Sequence, residues 1–292
     1  MNNVFIAGCG YIGRRVAWLC RQANAEVTCM IRQVEHAEEL KAEGYNVVTC
    51  SLDSDHSVVL KGLAGCDLFY MVPPPGGGSR DLRAHNFCRA MEKYGPPARI
   101  VYLSATSVYS ARDGSVVTEY SPVEPATAMG RRRLDAETVF SEYAGHFNVP
   151  LVILRVSGIY GPGRLPIMQI RQGQPLLREE DSGPSSRIHA DDLAAVCCAA
   201  AEKGRAGEIF NVSDGRPCSL TSYFNAVADA LGAPRPPQVS LEDARRVMSP
   251  LMWAYSIETR VVDNSLMIER LGVPLRYPDH QSGVMASLPE AV

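Results

Sequence analysis

Two spacings of hydrophobic positions alternate from the first residues onward. A short apolar run at 3–7 (NVFIA) stops at Gly8, and helical spacing resumes through Ile12, Val16, Leu19 and Cys20, which reads as strand, tight turn and helix. The alternation continues with strands predicted at 26–31, 46–50, 67–71 and 99–104 and helices near 34–43, 57–63 and 80–94. Residues 110–125 read as a loop, and a charged amphipathic helix at 130–147 feeds a sixth strand at 151–155. Strands separated by helices require right-handed crossovers, which stack the strands into a parallel sheet covered on both faces. The expected fold class is α/β, a Rossmann-type doubly wound parallel sheet.

Beyond 155 the pattern changes. Residues 157–187 are rich in Gly, Pro and Arg, and 232–250 carries a second Pro-rich stretch. Between them 190–203 reads as a buried helix and 208–212 as a strand. The expected organisation is a dinucleotide-binding domain over 1–155, with 188–215 returning to it, and a smaller C-terminal lobe built from 156–187 and 216–292. There is no internal repeat.

Composition narrows the function classes. A chain of 292 residues lies near the upper limit for one hydrophobic core, and 46% hydrophobic with 21% charged residues is globular usage. A formal charge of −3 offers no basic field for polyanions, so nucleic acid is not an expected partner. The N-terminal MNNVFIAGCGYIG lacks the basic flank and apolar core of a signal peptide, and no apolar run approaches about eighteen residues, which points to a cytoplasmic protein without membrane contact. Nine cysteines are scattered without a C-x-x-C pair or an interleaved His, so they read as buried hydrophobes in a reducing compartment and not as metal ligands.

The candidate chemistry begins at Gly8-Cys9-Gly10-Tyr11-Ile12-Gly13, a G-x-G-x-x-G sequence that follows a strand and opens a helix. The first glycine permits the tight turn, the second lets backbone approach a pyrophosphate, and the third lets helix and strand pack closely. At the end of the second strand an acid would bind the ribose 2′-hydroxyl. Here Ile31 fills that position and Arg32 follows with a guanidinium suited to a 2′-phosphate, which favours NADP(H) over NAD(H) and leaves NAD(H) open. Asp53, just past the third strand, is placed to accept from the adenine amino group or to cap a loop. Val72-Pro73-Pro74-Pro75 followed by Gly76-Gly77-Gly78 suggests a stiff wall against the cofactor ending in a movable lip.

With these residues in view the chain resembles the extended short-chain dehydrogenases/reductases of the NAD-dependent epimerase/dehydratase kind, over nearly its full length. The supporting motifs are the glycine loop, Ser104-Ala-Thr-Ser-Val-Tyr109, Leu154-Arg-Val-Ser-Gly-Ile-Tyr-Gly-Pro-Gly-Arg164, Arg187-Ile-His-Ala-Asp-Asp-Leu193 and Phe210-Asn-Val-Ser-Asp-Gly215. The resemblance implies that the smaller lobe binds a small-molecule substrate over the nicotinamide. It also adds Ser104, Ser157 and Ile159 to the cofactor contacts. A homodimer through the helices at 80–94 and 130–147 is the family-level expectation.

The same resemblance implies a Tyr-x-x-x-Lys pair and a Ser or Thr, and the sequence departs at all three positions. Met129 stands for the tyrosine, Arg133 for the lysine and Ala105 for the hydroxyl. A thioether exchanges no proton and arginine keeps its charge at working pH. Three readings remain open. In one, a reductase or dehydrogenase of a small or medium carbonyl or imine substrate takes its proton from Tyr109, Thr106, Ser107, Thr127 or Tyr160, with Arg133 holding the nicotinamide ribose. In the others the protein is a non-catalytic dinucleotide sensor or scaffold, or an epimerase or isomerase. His189 reads as the cap of the helix that follows it. Ser185 stands where nucleotide-sugar enzymes carry an arginine.

Overall fold

The computed structural model describes residues 1–54 and 58–289. Its first half runs β1 (Asn3–Ala7), α1 (Tyr11–Gln22), β2 (Glu26–Ile31), α2 (Ala37–Ala42), β3 (Asn46–Thr49), β4 (Asp67–Tyr70), α3 (Leu82–Tyr94) and β5 (Arg99–Ala105). Next come β6 (Asp113–Val117), α4 (Ala128–Phe147), β7 (Leu151–Val156), β8 (Gly158–Tyr160), α5 (Ile167–Arg171), β9 (Leu176–Leu177), β10 (Pro184–Ser185), β11 (Arg187–His189) and α6 (Ala190–Lys203). The chain continues through β12 (Ile209–Val212), β13 (Cys218–Ser219), α7 (Leu220–Ala230), β14 (Gln238–Val239), α8 (Leu241–Val247), α9 (Pro250–Ile257), β15 (Thr259–Val262), α10 (Ser265–Leu271) and α11 (His280–Met285).

Among the described residues seven strands form one parallel sheet in the order β12-β7-β5-β4-β1-β2-β3. The chain builds outward from β1 to β3, then returns to place β4 on the other side of β1. This reversal opens a crevice at the carboxyl ends of β1 and β4, the place where open α/β sheets hold ligands.

Side chains alternate across the sheet with the period of two that a strand imposes. Val4 and Ile6 join a core with Ile12, Val16 and Cys20 of α1 and Leu193 and Cys197 of α6. Phe5 and Ala7 face the other way, toward Phe87 and Met91 of α3 and Phe140 and Tyr143 of α4. The centre of the second core is aromatic: the Phe140 ring lies 4.7 Å from that of Tyr70 and 5.1 Å from that of Tyr102. All six residues of β7 are buried because helices cover both of its faces.

Short polar side chains fix where the helices begin. Asp81, Thr127, Ser219 and Ser240 each accept a backbone N–H from the first turn of α3, α4, α7 and α8. Helix α4 ends at Asn148, which takes the left-handed conformation at φ 52°.

Two sequence expectations are corrected. Residues 58–63 are coil and turn, not helix, and Ser57 lies outside the described residues. Leu60 and Leu63 instead plug the α3 side of the core from an irregular segment that turns at Gly62, φ +86°. The expected loop at 110–125 contains β6, which pairs in parallel with β15 in a second sheet of order β13-β10-β15-β6. In β6 only Val117 is buried, so the period-two signature is missing, and the partner strand lies far along the chain. The lobe has its own smaller core of Tyr160, Leu176, Tyr223, Phe224 and Met252. No helix among the described residues is long and apolar enough to cross a membrane.

Truncating the ring at the centre of the aromatic core should leave a cavity that the sheet cannot close. Phe140→Ala is expected to lower unfolding stability by about 3–5 kcal/mol in urea or thermal unfolding, with the fold retained.

Candidate active site

A cleft of about 850 Å³ runs along the carboxyl edge of the sheet. Its floor is the glycine turn. The N–H groups of Gly8 and Cys9 both donate to the carbonyl of Met30, at 3.1 and 3.0 Å, so the turn is riveted to β2. Gly8 sits at φ +88°, and a Cβ there would lie 2.9 Å from the backbone nitrogen of Val72. A Cβ on Gly13 would lie 2.6 Å from the carbonyl oxygen of Gly8. Gly10 differs: its Cβ would meet no protein atom within 4 Å. It would project into open space at the start of α1, a helix with no side-chain cap over its first N–H groups. That combination of free room and unpaired donors fits a dinucleotide diphosphate.

The end of the cleft beside β2 is lined by Ile31, Arg32, Gln33, His36, Arg14 and Leu52. Ile31 is buried at the position where an acid would hold a ribose diol, while Arg32 is exposed and only loosely paired with Asp53 at 3.7 Å. Asp53 itself does not line the cleft. Arg83 Nε donates to its carboxylate at 2.6 Å and Arg83 Nη1 donates to the Pro73 carbonyl at 3.0 Å, a brace between the third-strand loop and the wall. These hydrogen bonds from Arg83 hold the Asp53 carboxyl below the usual range. Val72 and Pro73 line the cleft and Pro74 does not. The lip is tethered: the buried Arg132 donates to the carbonyls of Gly77 and Gly78, at 3.1 and 2.8 Å.

At the opposite end stand Leu103, Ser104, Ala105, Arg133, Val156, Ser157 and Ile159. Arg133 Nη1 donates to the Leu103 carbonyl at 2.9 Å. Burial pushes the Tyr102 phenol behind it up to about 12, against the pull of the Arg133 charge. Ser157 is buried and its Oγ has no hydrogen-bond partner in the protein, which leaves a hydroxyl free for something bound in the cleft. Met129 is exposed and lies off the cleft.

None of the other hydroxyls singled out from sequence lines the cleft, and Ser107 Oγ is buried without a hydrogen-bond partner. Tyr109 is buried away from the cleft and donates to Asn211 Oδ1 at 2.6 Å, and burial raises its pKa. Thr106 and Ser107 form a short turn behind Ala105, with the Thr106 carbonyl accepting from Arg260 at 3.1 Å. Thr127 caps α4 through the Gly130 N–H at 3.0 Å. Tyr160 donates to the Asp279 carbonyl at 3.1 Å. His189 accepts the Asp191 N–H at 3.2 Å as the cap of α6, and burial lowers its pKa.

Beneath the far end of the cleft, at β5 and β7, lies a buried polar network that sequence reading missed. Glu137 accepts from Ser104 Oγ at 2.5 Å and from Arg155 Nε and Nη2 at 3.1 and 2.8 Å. Arg155 also donates to the Tyr109 oxygen at 3.2 Å and to the Glu119 carbonyl at 3.3 Å, while Asn211 N donates to Glu119 at 2.8 Å. The network joins α4, β5, β7 and β12 under the cleft and orients Ser104 from below. Only the burial of Glu137 in α4 and of Arg155 in β7 could have signalled it, and burial is not visible in one sequence.

Comparison with known proteins gives this geometry relatives. Residues 82–213 match the NAD dependent epimerase/dehydratase family, and residues 4–64 match ketopantoate reductase PanE/ApbA. Over residues 82–213 the chain is similar to the NAD-dependent epimerase/dehydratase family. Protein YeeZ of Escherichia coli (strain K12) is 24% identical over 291 residues, 96% of this chain and 97% of that protein. A 4-hydroxy-2-methyl-3-oxo-4-farnesyl-3,4-dihydroquinoline-1-oxide ketoreductase of Stigmatella aurantiaca is 24% identical over 251 residues, 80% of this chain and 74% of that protein. Among solved structures, a conserved protein of unknown function from Silicibacter pomeroyi superposes with a TM-score of 0.82 at 28% identity, covering 98% of both chains. The dTDP-glucose 4,6-dehydratase of Bacillus anthracis in complex with NAD superposes with a TM-score of 0.76 at 15% identity, covering 98% of this chain and 95% of that one. Similar proteins thus include dehydratases, epimerases and a ketoreductase, and several of the solved neighbours are complexes with NAD.

Removing one member of the ion pair under Ser104 leaves a buried uncompensated charge. Glu137→Met and Arg155→Met are each expected to cost about 3–5 kcal/mol of stability, and the double variant Glu137→Met/Arg155→Met less than their sum in a double-mutant cycle. Additive losses would show that the two side chains do not act as a unit.

Proposed function

We propose that the protein is an NADP(H)-dependent reductase or dehydrogenase of a small or medium carbonyl-type or imine substrate. The observation that carries this reading is the cleft itself, with a glycine floor open at Gly10 and a far end where Ser104, Ala105, Ser157 and Arg133 surround the nicotinamide position. When bound there, the dinucleotide supplies hydride chemistry.

The chain's own residues then have limited tasks. The N-terminus of α1 and Gly10 accept the diphosphate, and Arg32 faces a 2′-phosphate that Ile31 does not repel, Arg14 being already paired with Glu39 and Glu43. Arg133, tied to the Leu103 carbonyl, orients the nicotinamide ribose in the position where family resemblance expects a lysine. Ser157 Oγ donates to the substrate oxygen. A serine hydroxyl polarises a carbonyl but is too weak an acid to be its final proton source, so the proton arrives through water in the open cleft. Orientation of the reacting carbon carries the main burden, an effect worth about 7 kcal/mol or more in favourable systems.

Calorimetric titration with NADPH and NADH tests the cofactor assignment. Arg32→Asp should weaken NADPH by about tenfold or more while changing NADH little, the scale of one charge-assisted contact. Equal loss for both nucleotides, or none, removes the assignment to NADP(H). Incubation with NADPH and a panel of ketones, aldehydes and imines, followed at the absorbance of the reduced nicotinamide, tests the reaction. Turnover abolished by Gly10→Val supports the reductase, whereas tight binding with no turnover across the panel overturns it in favour of a dinucleotide sensor.

A further inference from the structure

One ring at the mouth of the cleft is flanked by two cations. The guanidinium carbons of Arg15 and Arg164 each lie 4.1 Å from the centroid of Tyr11, the first residue of α1. Arg15 is neutralised, since its Nε donates to Asp191 at 2.7 Å and its Nη1 to the Tyr11 carbonyl at 2.9 Å. Arg164 has no such partner. It lines the cleft, is exposed, and forms no ion pair among the described residues. A guanidinium held over a ring that already carries another guanidinium is electrostatically incomplete until an anion arrives.

The holding is also deliberate in its backbone. The Tyr11 phenol donates to the Pro162 carbonyl at 2.9 Å, joining the glycine turn to the 161–164 turn across 151 residues of chain. That turn is closed by the Arg164 N–H donating to the Gly161 carbonyl at 2.9 Å. Gly161 adopts φ +150°, and a Cβ there would stand 2.7 Å from the Tyr11 hydroxyl. Only a glycine lets the tyrosine reach the turn. The ring therefore fixes where the Arg164 side chain emerges, which is over the start of α1.

We propose that Arg164 is a diphosphate-binding residue, held by Tyr11 so that its guanidinium closes over the dinucleotide from the side opposite the glycine floor. Tyr11 is the positioning residue of this clamp. The inference rests on the reading of the cleft as a dinucleotide site. It adds a second layer, because backbone amides grip the diphosphate from below and a bidentate cation covers it from above. The contact is blind to the 2′-position, which separates it from Arg32.

The test is calorimetric binding to the full chain, with no turnover required. Arg164→Gln is expected to weaken NADPH, NADH and ADP-ribose alike, each by about tenfold, because all three carry the diphosphate. Affinity for 2′-AMP, which carries no 5′-phosphate, should be unchanged. Tyr11→Leu should reproduce the same profile with a smaller loss, and circular dichroism separates that loss from misfolding. Unchanged ADP-ribose affinity in Arg164→Gln overturns the proposal, and a rise confined to a substrate KM would assign the arginine to substrate instead. If the unmodified protein binds none of these ligands, the dinucleotide reading fails as well, an outcome distinct from loss of the clamp alone.

Discussion

The structure depends on one close passage of backbone. Between β1 and α1 the chain turns within reach of the start of the β4 wall on one side and hydrogen-bonds to the end of β2 on the other, leaving 2.9 Å between a would-be Gly8 Cβ and Val72. No side chain fits there, and none is present. The same turn brings α1 down close to β1 through Gly13 and leaves the helix N-terminus facing open space above Gly10. Sheet order, helix packing and ligand site are thus consequences of three missing Cβ atoms rather than separate designs.

What surrounds that passage divides into a stiff half and an open half. Below the nicotinamide end the Glu137–Arg155 pair has side chains only 5% exposed and ties four elements together. Burying two charges contributes little net stability by itself, but every alternative packing that separates them is strongly disfavoured. The network therefore holds the floor of the site in one arrangement. Above it, the lip is tethered by Arg132 to two carbonyls and the 161–164 turn is tethered by the Tyr11 phenol. The lip was read from Gly76–Gly78 as movable, yet a buried guanidinium donating twice to its backbone gives it a definite closed position.

The legible part of this protein was the part written in local patterns. Alternation of apolar spacing marked β1, β2, β4, β5, α4 and α6 to within a few residues, because each buries a regular face against a neighbour close in sequence. β6 escaped because only one of its residues is buried and its partner β15 follows far along the chain. The segment at 58–63 misled because buried leucines at 60 and 63 have helical spacing without forming a helix. At the site, glycine spacing and the strand-end Arg32 were readable. The occupation of Tyr109 by Asn211, and the stacking of Arg164 on Tyr11, depend on long-range contacts that no spacing rule encodes.

The chemistry open to the far end of the cleft follows from what its side chains can and cannot do. Arg133 supplies a positive charge anchored on the Leu103 carbonyl, and a guanidinium offers donors but no acceptor. Tyr109, the phenol that could have acted as an acid, is buried in the network below and its proton is committed to Asn211. Ser157 offers an unpartnered hydroxyl and Ser104 one already given to Glu137. Such a set is rich in orientation and poor in acidity. A site of this kind works best on a reacting centre that needs alignment more than it needs a strong proton donor, such as an activated carbonyl or an imine already carrying its proton, with water in the cleft completing the exchange.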